Sequence, residues 1–238
     1  MIVTKLGENE MSTYFKAVRL DGTDFRTGTI DYAAALGGEP VTLPVVPDPE
    51  CCTSTVLHAA TVPTETLIGG TWPCRLFEVT GTPVAQGGHK RGFFSLAVVR
   101  EVDAHQALGP QGEQVAALIG RAGRITAGEA EKLDATWYAT RGAAQAAWDA
   151  AWDAARDAAR VAAQAAAREA AWYGAQAAWD AAQAAAARAA AWDGARAAAL
   201  ALVMRDLITK EHYDLLTGPW AQVIGPVHPD DPTREDTP

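Results

Sequence analysis

The chain reads as an α+β protein, and three observations carry that reading. Short β-branched and aromatic runs, separated by Gly, Pro and Thr, fill roughly its first half. A helix-start signal, Thr126-Ala127-Gly128-Glu129, then closes that half. Beyond it, 34 of the 59 residues from 143 to 201 are Ala, the residue that loses least on entering a helix. The expected architecture is a small mixed or antiparallel-sheet domain followed by a long Ala/Trp-rich helix or helical hairpin. Residues 1–12 are expected to be a leader, 13–125 the α+β domain, 126–224 the helical region and 225–238 a disordered acidic, proline-rich tail. Met11 is a candidate initiator within the leader.

Taken in order, residues 13–20 (TYFKAVRL) have strand composition and end at the turn signal Asp21-Gly22. Val41-Thr42-Leu43 is extended but lies among prolines, which suits a sheet edge. Residues 75–79 (RLFEV) run into Thr80-Gly81, and residues 92–100 (GFFSLAVVR) form the most strand-like run. Phe77, Val79, Phe93, Leu96 and Val98 are the expected core of this small layered fold. A short helix is expected over 113–119 before Gly120, and another over 211–216.

From Thr126 to Asp206 there is no proline, so a single helix of roughly 120 Å is formally possible at 1.5 Å per residue. The bulky and polar residues between Arg141 and Arg196 recur at a step of about 3.7, close to an eleven-residue repeat. On a helical wheel Trp137, Trp148, Trp152 and Trp192 share a side, and Trp172 and Trp179 fall opposite. A lone straight helix would expose tryptophan on both sides, so a bent or folded helix near Gly174 is preferred. The Ala and Trp residues then serve either an intramolecular core, with Asp153/Arg156 and Asp157/Arg160 at its wet edge, or a protein-binding surface. On the second reading the candidate contacts are Trp148, Trp152, Arg156, Arg160, Trp172 and Trp179.

The formal net charge of −9 argues against direct wrapping of nucleic acid, so any DNA role is expected to be indirect. No apolar run approaches the length of a membrane span, and the N-terminal residues lack the order of a signal peptide. The three cysteines suit a reducing cytoplasm better than a disulfide scaffold. Cys51, Cys52, Cys74, His58 and His89 are the reactive residues available for an alternative role, an enzyme or ligand-binding site in the front domain near His58 and His89. The adjacent Cys51-Cys52 lack the paired spacing of a zinc knuckle, so no metal and no cofactor are expected. Gly87-Gly88-His89-Lys90-Arg91-Gly92 reads as a hairpin turn or, less simply, as a phosphate-holding loop.

Several of these runs occur in a recognisable order: Tyr14-Phe15-Lys16-Ala17, Cys52 to His58, Arg75-Leu76-Phe77-Glu78-Val79-Thr80-Gly81, Val98-Val99-Arg100, and AAWDAAWDAARDAAR over 146–160. The order resembles a family of actinobacterial and actinophage proteins with the pattern Y-K-A…C-x-x-G-x-H…E-V-x-G followed by W-D-A-A repeats. This chain has five residues between Cys52 and His58 where the pattern has four, and Val56 where it has Gly. The resemblance carries no enzymatic activity. Through its phage members it implies a non-enzymatic regulator, most specifically a recombination directionality factor that binds a serine integrase in the host cytoplasm and favours excision. A structural or oligomerising helical module is the remaining alternative.

Overall fold

The computed structural model describes residues 12–88, 90–160, 176, 178 and 191–231, the side chains of 154–160 excepted. It is an α+β fold. Seven strands form one sheet: β1 (Thr13–Val18), β2 (Val41–Thr42), β3 (Leu57–Ala60), β4 (Arg75–Thr80), β5 (Ala85–Gly87), β6 (Lys90–Phe93) and β7 (Ser95–Val102). Their order is β2-β7-β4-β1-β3-β6-β5, and every pairing between them is antiparallel. Among the described residues four α-helices follow: α1 (Gly112–Ala122), α2 (Ala127–Arg160), α3 (Trp192–Val203) and α4 (Lys210–Val223).

The expected single strand over 92–100 is instead two strands, β6 and β7, parted by Phe94. The first half of that run pairs with β3 and the second with β4, so the sheet curls until its two sides meet along one stretch of chain. A bend that re-aims a strand is how a short sheet closes over a core. The five expected core residues all line this interior: Phe77, Val79, Phe93 and Leu96 are fully buried and Val98 nearly so, with Tyr14, Val18, Tyr32 and Leu57 beside them. Burying each such large side chain contributes about 1.5–3 kcal/mol. Val41 pairs with Leu96 at the sheet edge, as the surrounding prolines require. β3 was not anticipated, because its four residues LHAA carry little strand propensity. Pairing with β6 creates it.

The outer face of the sheet meets the helices. Ala17 and Leu76 from the strands belong to the same core as Leu118 of α1, Leu133 of α2, Leu200 of α3 and Leu216 of α4. The division expected after residue 125 therefore falls within a shared apolar layer. Helix α2 begins as its sequence requires: Glu129 N–H donates to Thr126 Oγ1 at 3.3 Å, and Glu129 Oε2 accepts from Thr126 N–H at 2.8 Å.

Helix α3 lies against α2, with Gly194 meeting Leu133 near the start of α2. Ala144, Ala147, Ala151, Ala195 and Ala198 are fully or almost fully buried, so the small side chains let helices approach closely. Gly174, where a bend is expected, lies outside the described residues.

Two expectations for the C-terminal part are corrected. Helix α4 does not stop before Gly218-Pro219; it runs through Pro219 to Val223. Leu216 and Trp220 stand one helical turn apart, both buried, and their packing outweighs the hydrogen bond lost at proline. The tail is also not disordered from Gly225. Val227 and His228 are buried, Tyr213 Oη donates to Asp231 at 2.9 Å, and Arg205 stands 2.7 Å from His228 Nε2. These partners offset the ordering cost that the acidic, proline-rich composition implies. Residues 1–11 and 232–238 lie outside the described residues.

Candidate functional site

The sheet and its loops enclose a cavity of about 550 Å³, within the range of small-molecule sites. Its position follows from a weak seam in the sheet. β1 pairs with β4 along six residues and β3 with β6 along four, whereas β1 and β3 share only Phe15↔Ala60. Residues of both strands line the cavity at this seam, together with the loop that carries Asp24 and the segment around Glu65.

Lys16 enters the cavity from β1. Strand alternation puts it on the same face as Tyr14 and Val18, both in the sheet interior. A lysine at such a position is costly, and burial pushes its pKa down to about 8; Asp24 opposes the shift and Lys90 adds to it. Its ammonium sits 5.0 Å from the centre of the Tyr32 ring, which offsets part of the cost. Lys90 reaches the cavity from β6 and donates to the carbonyl of Ile68 at 2.6 Å. Its pKa is also lowered by burial, against the pull of Cys52, Cys51 and the fully buried Glu65.

Asp24 organises a loop that lines the cavity. Its carboxylate accepts from Thr27 N–H (2.6 Å), Thr27 Oγ1 (2.7 Å), Ile30 N–H (3.0 Å) and Thr29 N–H (3.1 Å). Burial alone would raise its pKa, but the combined bonds from Thr27, Ile30 and Thr29 hold it at about 2. Gly28 in this loop has φ +68, and a side chain there would strike Arg19, whose guanidinium donates to the Phe25 carbonyl.

His58 lines the same cavity from β3, directly opposite Gly92 of β6. A Cβ at Gly92 would come within 2.8 Å of Val56, so the glycine makes room for the Val56 side chain beside the β3–β6 pair. His58 Nε2 accepts the backbone N–H of Cys52 at 2.7 Å. Burial, then Lys16, Lys90 and Arg26, push its pKa down to about 4, so the ring is neutral at pH 7. Cys51 and Cys52 follow the same turn with their Sγ atoms 3.8 Å apart, and with His58 they place three ligand-type atoms within 4.8 Å of one another. Cys74 is elsewhere, buried in the helix-facing core, and burial raises its thiol to about 12.

No family model, curated protein or solved structure matches this chain. The site is therefore read from its own residues.

Residues from two of the runs noted in the sequence, Phe15, Lys16 and Ala17 from the first and Cys52 and His58 from the second, line this one cavity. The glycine loop at 87–92 is a hairpin joining β5 to β6, and it also delivers Lys90 to the cavity. His89 lies outside the described residues. Asp24 and Glu65 are absent from the sequence reading, and Lys16 enters it only within the run 14–17; its readable signal is alternation with the inward-facing Tyr14 and Val18.

The helical candidates are placed differently. Trp148 and Trp152 meet edge to face with ring centres 6.4 Å apart, and both pack half-buried on the helical core. Arg156 and Arg160 lie on α2, but their side chains are outside the described residues, as are Trp172 and Trp179. Among the described residues no helix is long and apolar enough to cross a membrane.

Proposed function

We propose that this protein binds a compact organic anion in the cavity of the sheet. The observation that carries the reading is the convergence of Lys16 and Lys90, from two separate strands, on one cavity of about 550 Å³ that also holds His58. Two cations kept at a depressed pKa beside apolar walls are a standing electrostatic cost, which an anionic ligand would relieve. Phe15, Phe25 and Tyr32 supply flat apolar surface for the uncharged part of such a ligand. The test is a thermal-shift screen of the full chain against aromatic carboxylates, nucleoside phosphates and inorganic phosphate. A saturable rise in Tm that Lys16→Met and Lys90→Met both abolish supports the reading. No rise with any anion class, or a rise indifferent to both substitutions, refutes it.

A second reading keeps the helical region as a docking surface for a serine integrase, with the chain acting as a recombination directionality factor. Its support is the Trp148–Trp152 pair, which packs on the core yet retains part of its surface for solvent, and Trp192, which is 38% exposed. Binding of such a regulator would favour one synaptic arrangement over another through its differential affinity. An excision assay with purified integrase tests it. Stimulation lost in a folded Trp148→Ala/Trp152→Ala variant supports the reading, and no stimulation by the parent chain removes it.

A further inference from the structure

We propose that Cys51, Cys52 and His58 form a binding site for a thiophilic divalent ion of the zinc class, with an open coordination position toward the cavity. This goes beyond the anion reading and stands without it. Adjacent cysteines on an extended chain project to opposite sides and cannot share an ion. Here Cys52 has φ +69, the one non-glycine residue with positive φ among the described residues. That left-handed turn breaks the alternation and brings the two sulfurs to 3.8 Å. Zinc–thiolate bonds of about 2.3 Å give a tetrahedral edge of about 3.8 Å between sulfurs. The separation is thus already that of two thiolates on one ion.

His58 supplies the third donor. Its Nε2 lone pair now accepts the Cys52 amide at 2.7 Å, so the nitrogen lies beside the cysteine turn with the lone pair directed at it. An ion would take that lone pair, and the freed amide belongs to an exposed residue that water can reach. Gly87 is part of the enclosure: a Cβ there would lie 3.3 Å from Cys51 Cβ and 3.4 Å from its Sγ, so glycine lets the β5–β6 hairpin close over the sulfur. Two thiols lose their protons to solvent as the ion binds, and two thiolates balance the 2+ charge, so the nearby Lys16 and Lys90 face a neutral centre. Cys52 and His58 line the cavity. With three protein ligands the fourth position opens there, the arrangement of exchangeable rather than purely structural zinc sites.

The experiment uses the full chain, reduced and freed of metal, titrated with Co²⁺ and then with Zn²⁺ in competition. The expected result is one equivalent of Co²⁺ with thiolate-to-metal charge-transfer absorption and tetrahedral ligand-field bands, displaced by Zn²⁺. Cys52→Ser and Cys51→Ser should each weaken binding by about 100-fold or more, whereas His58→Ala should keep the charge-transfer bands but bind about 10–100-fold more weakly. Cys74→Ala should bind like the parent, and circular dichroism checks that each variant is folded. Absence of charge-transfer absorption at one equivalent overturns the proposal. So does parent-like binding by folded Cys51→Ser and Cys52→Ser variants.

Discussion

The imidazole of His58 accepts the backbone N–H of Cys52 at 2.7 Å, tying a strand residue to a turn six positions earlier. That bond secures the Cys52 backbone, whose φ of +69 an L-residue adopts only when its surroundings hold it there. In the metal-free protein His58→Ala should destabilise by about 1 kcal/mol, a modest cost because water can replace the lost acceptor. Hydrogen exchange should report it locally: the Cys52 amide exchanges at least about tenfold faster, while the β1–β4 amides keep their protection. Unchanged exchange at Cys52 would mean that the turn is held by something other than His58.

Asp24 gives the pH dependence a definite sign. Its folded pKa of about 2 lies below the ordinary value of 3.8, so its contribution to stability is present above about pH 4 and is lost as the pH falls through about 2. After allowance for solvent screening, that contribution is about 1–2 kcal/mol. Asp24→Asn, which cannot accept all four bonds, should lose it at neutral pH and show a flatter acid limb. Urea denaturation of both proteins between pH 2 and pH 6 measures the difference. Parallel acid limbs would show that the loop draws no stability from the ionised carboxylate.

Local rules made much of this fold readable in advance. The capping box at Thr126 works within four residues and appears as expected, and the apolar residues Phe77, Val79, Phe93, Leu96 and Val98 share the sheet interior, Phe93 joining the others because the chain breaks at Phe94 between β6 and β7. Strand β3 is not legible, because LHAA becomes a strand through pairing with residues 30 to 36 positions away. The cavity was half legible. Cys52, His58 and the glycine loop drew notice for their chemistry, but Lys16 looked like an ordinary strand lysine until the curl of the sheet turned its face inward. The conversion of Cys51-Cys52 from an unpromising dipeptide into a sulfur pair rests on one backbone angle, which residue type does not reveal.

Lys16→Met should separate stability from binding. The substitution keeps the side chain's length and flexibility but removes a charge whose pKa burial has already lowered to about 8. Relief of that cost, less the lost contact with the Tyr32 ring, should stabilise the chain by about 1 kcal/mol. Binding of an anion in the cavity should fall at the same time. A group that costs stability yet is needed for binding marks a functional position rather than a packing one. Differential scanning calorimetry with and without the best anion from the screen measures both; a lower Tm for Lys16→Met would show the lysine to be part of the structural frame instead.

Gly194→Ala tests the return of the helical region onto itself. In an isolated helix Ala is better than Gly by about 1 kcal/mol, so a helix that touched nothing would gain from the change. Here the new Cβ would lie 2.8 Å from Leu133 Cδ1 and Cγ, and Leu133 is fully buried, so it can yield only against the side chains packed around it. Overpacking of this kind costs about 1–3 kcal/mol and exceeds the propensity gain, so the expected net effect is a loss of about 1 kcal/mol. The double variant with Leu133→Ala should show a favourable coupling above about 1 kcal/mol, because the smaller side chain vacates the space that the new methyl needs. Chemical denaturation of the parent, both single variants and the double variant closes the cycle. A stabilised Gly194→Ala with no coupling would place the start of α3 away from α2 and return the buried alanine faces to the pool of surfaces open to a partner.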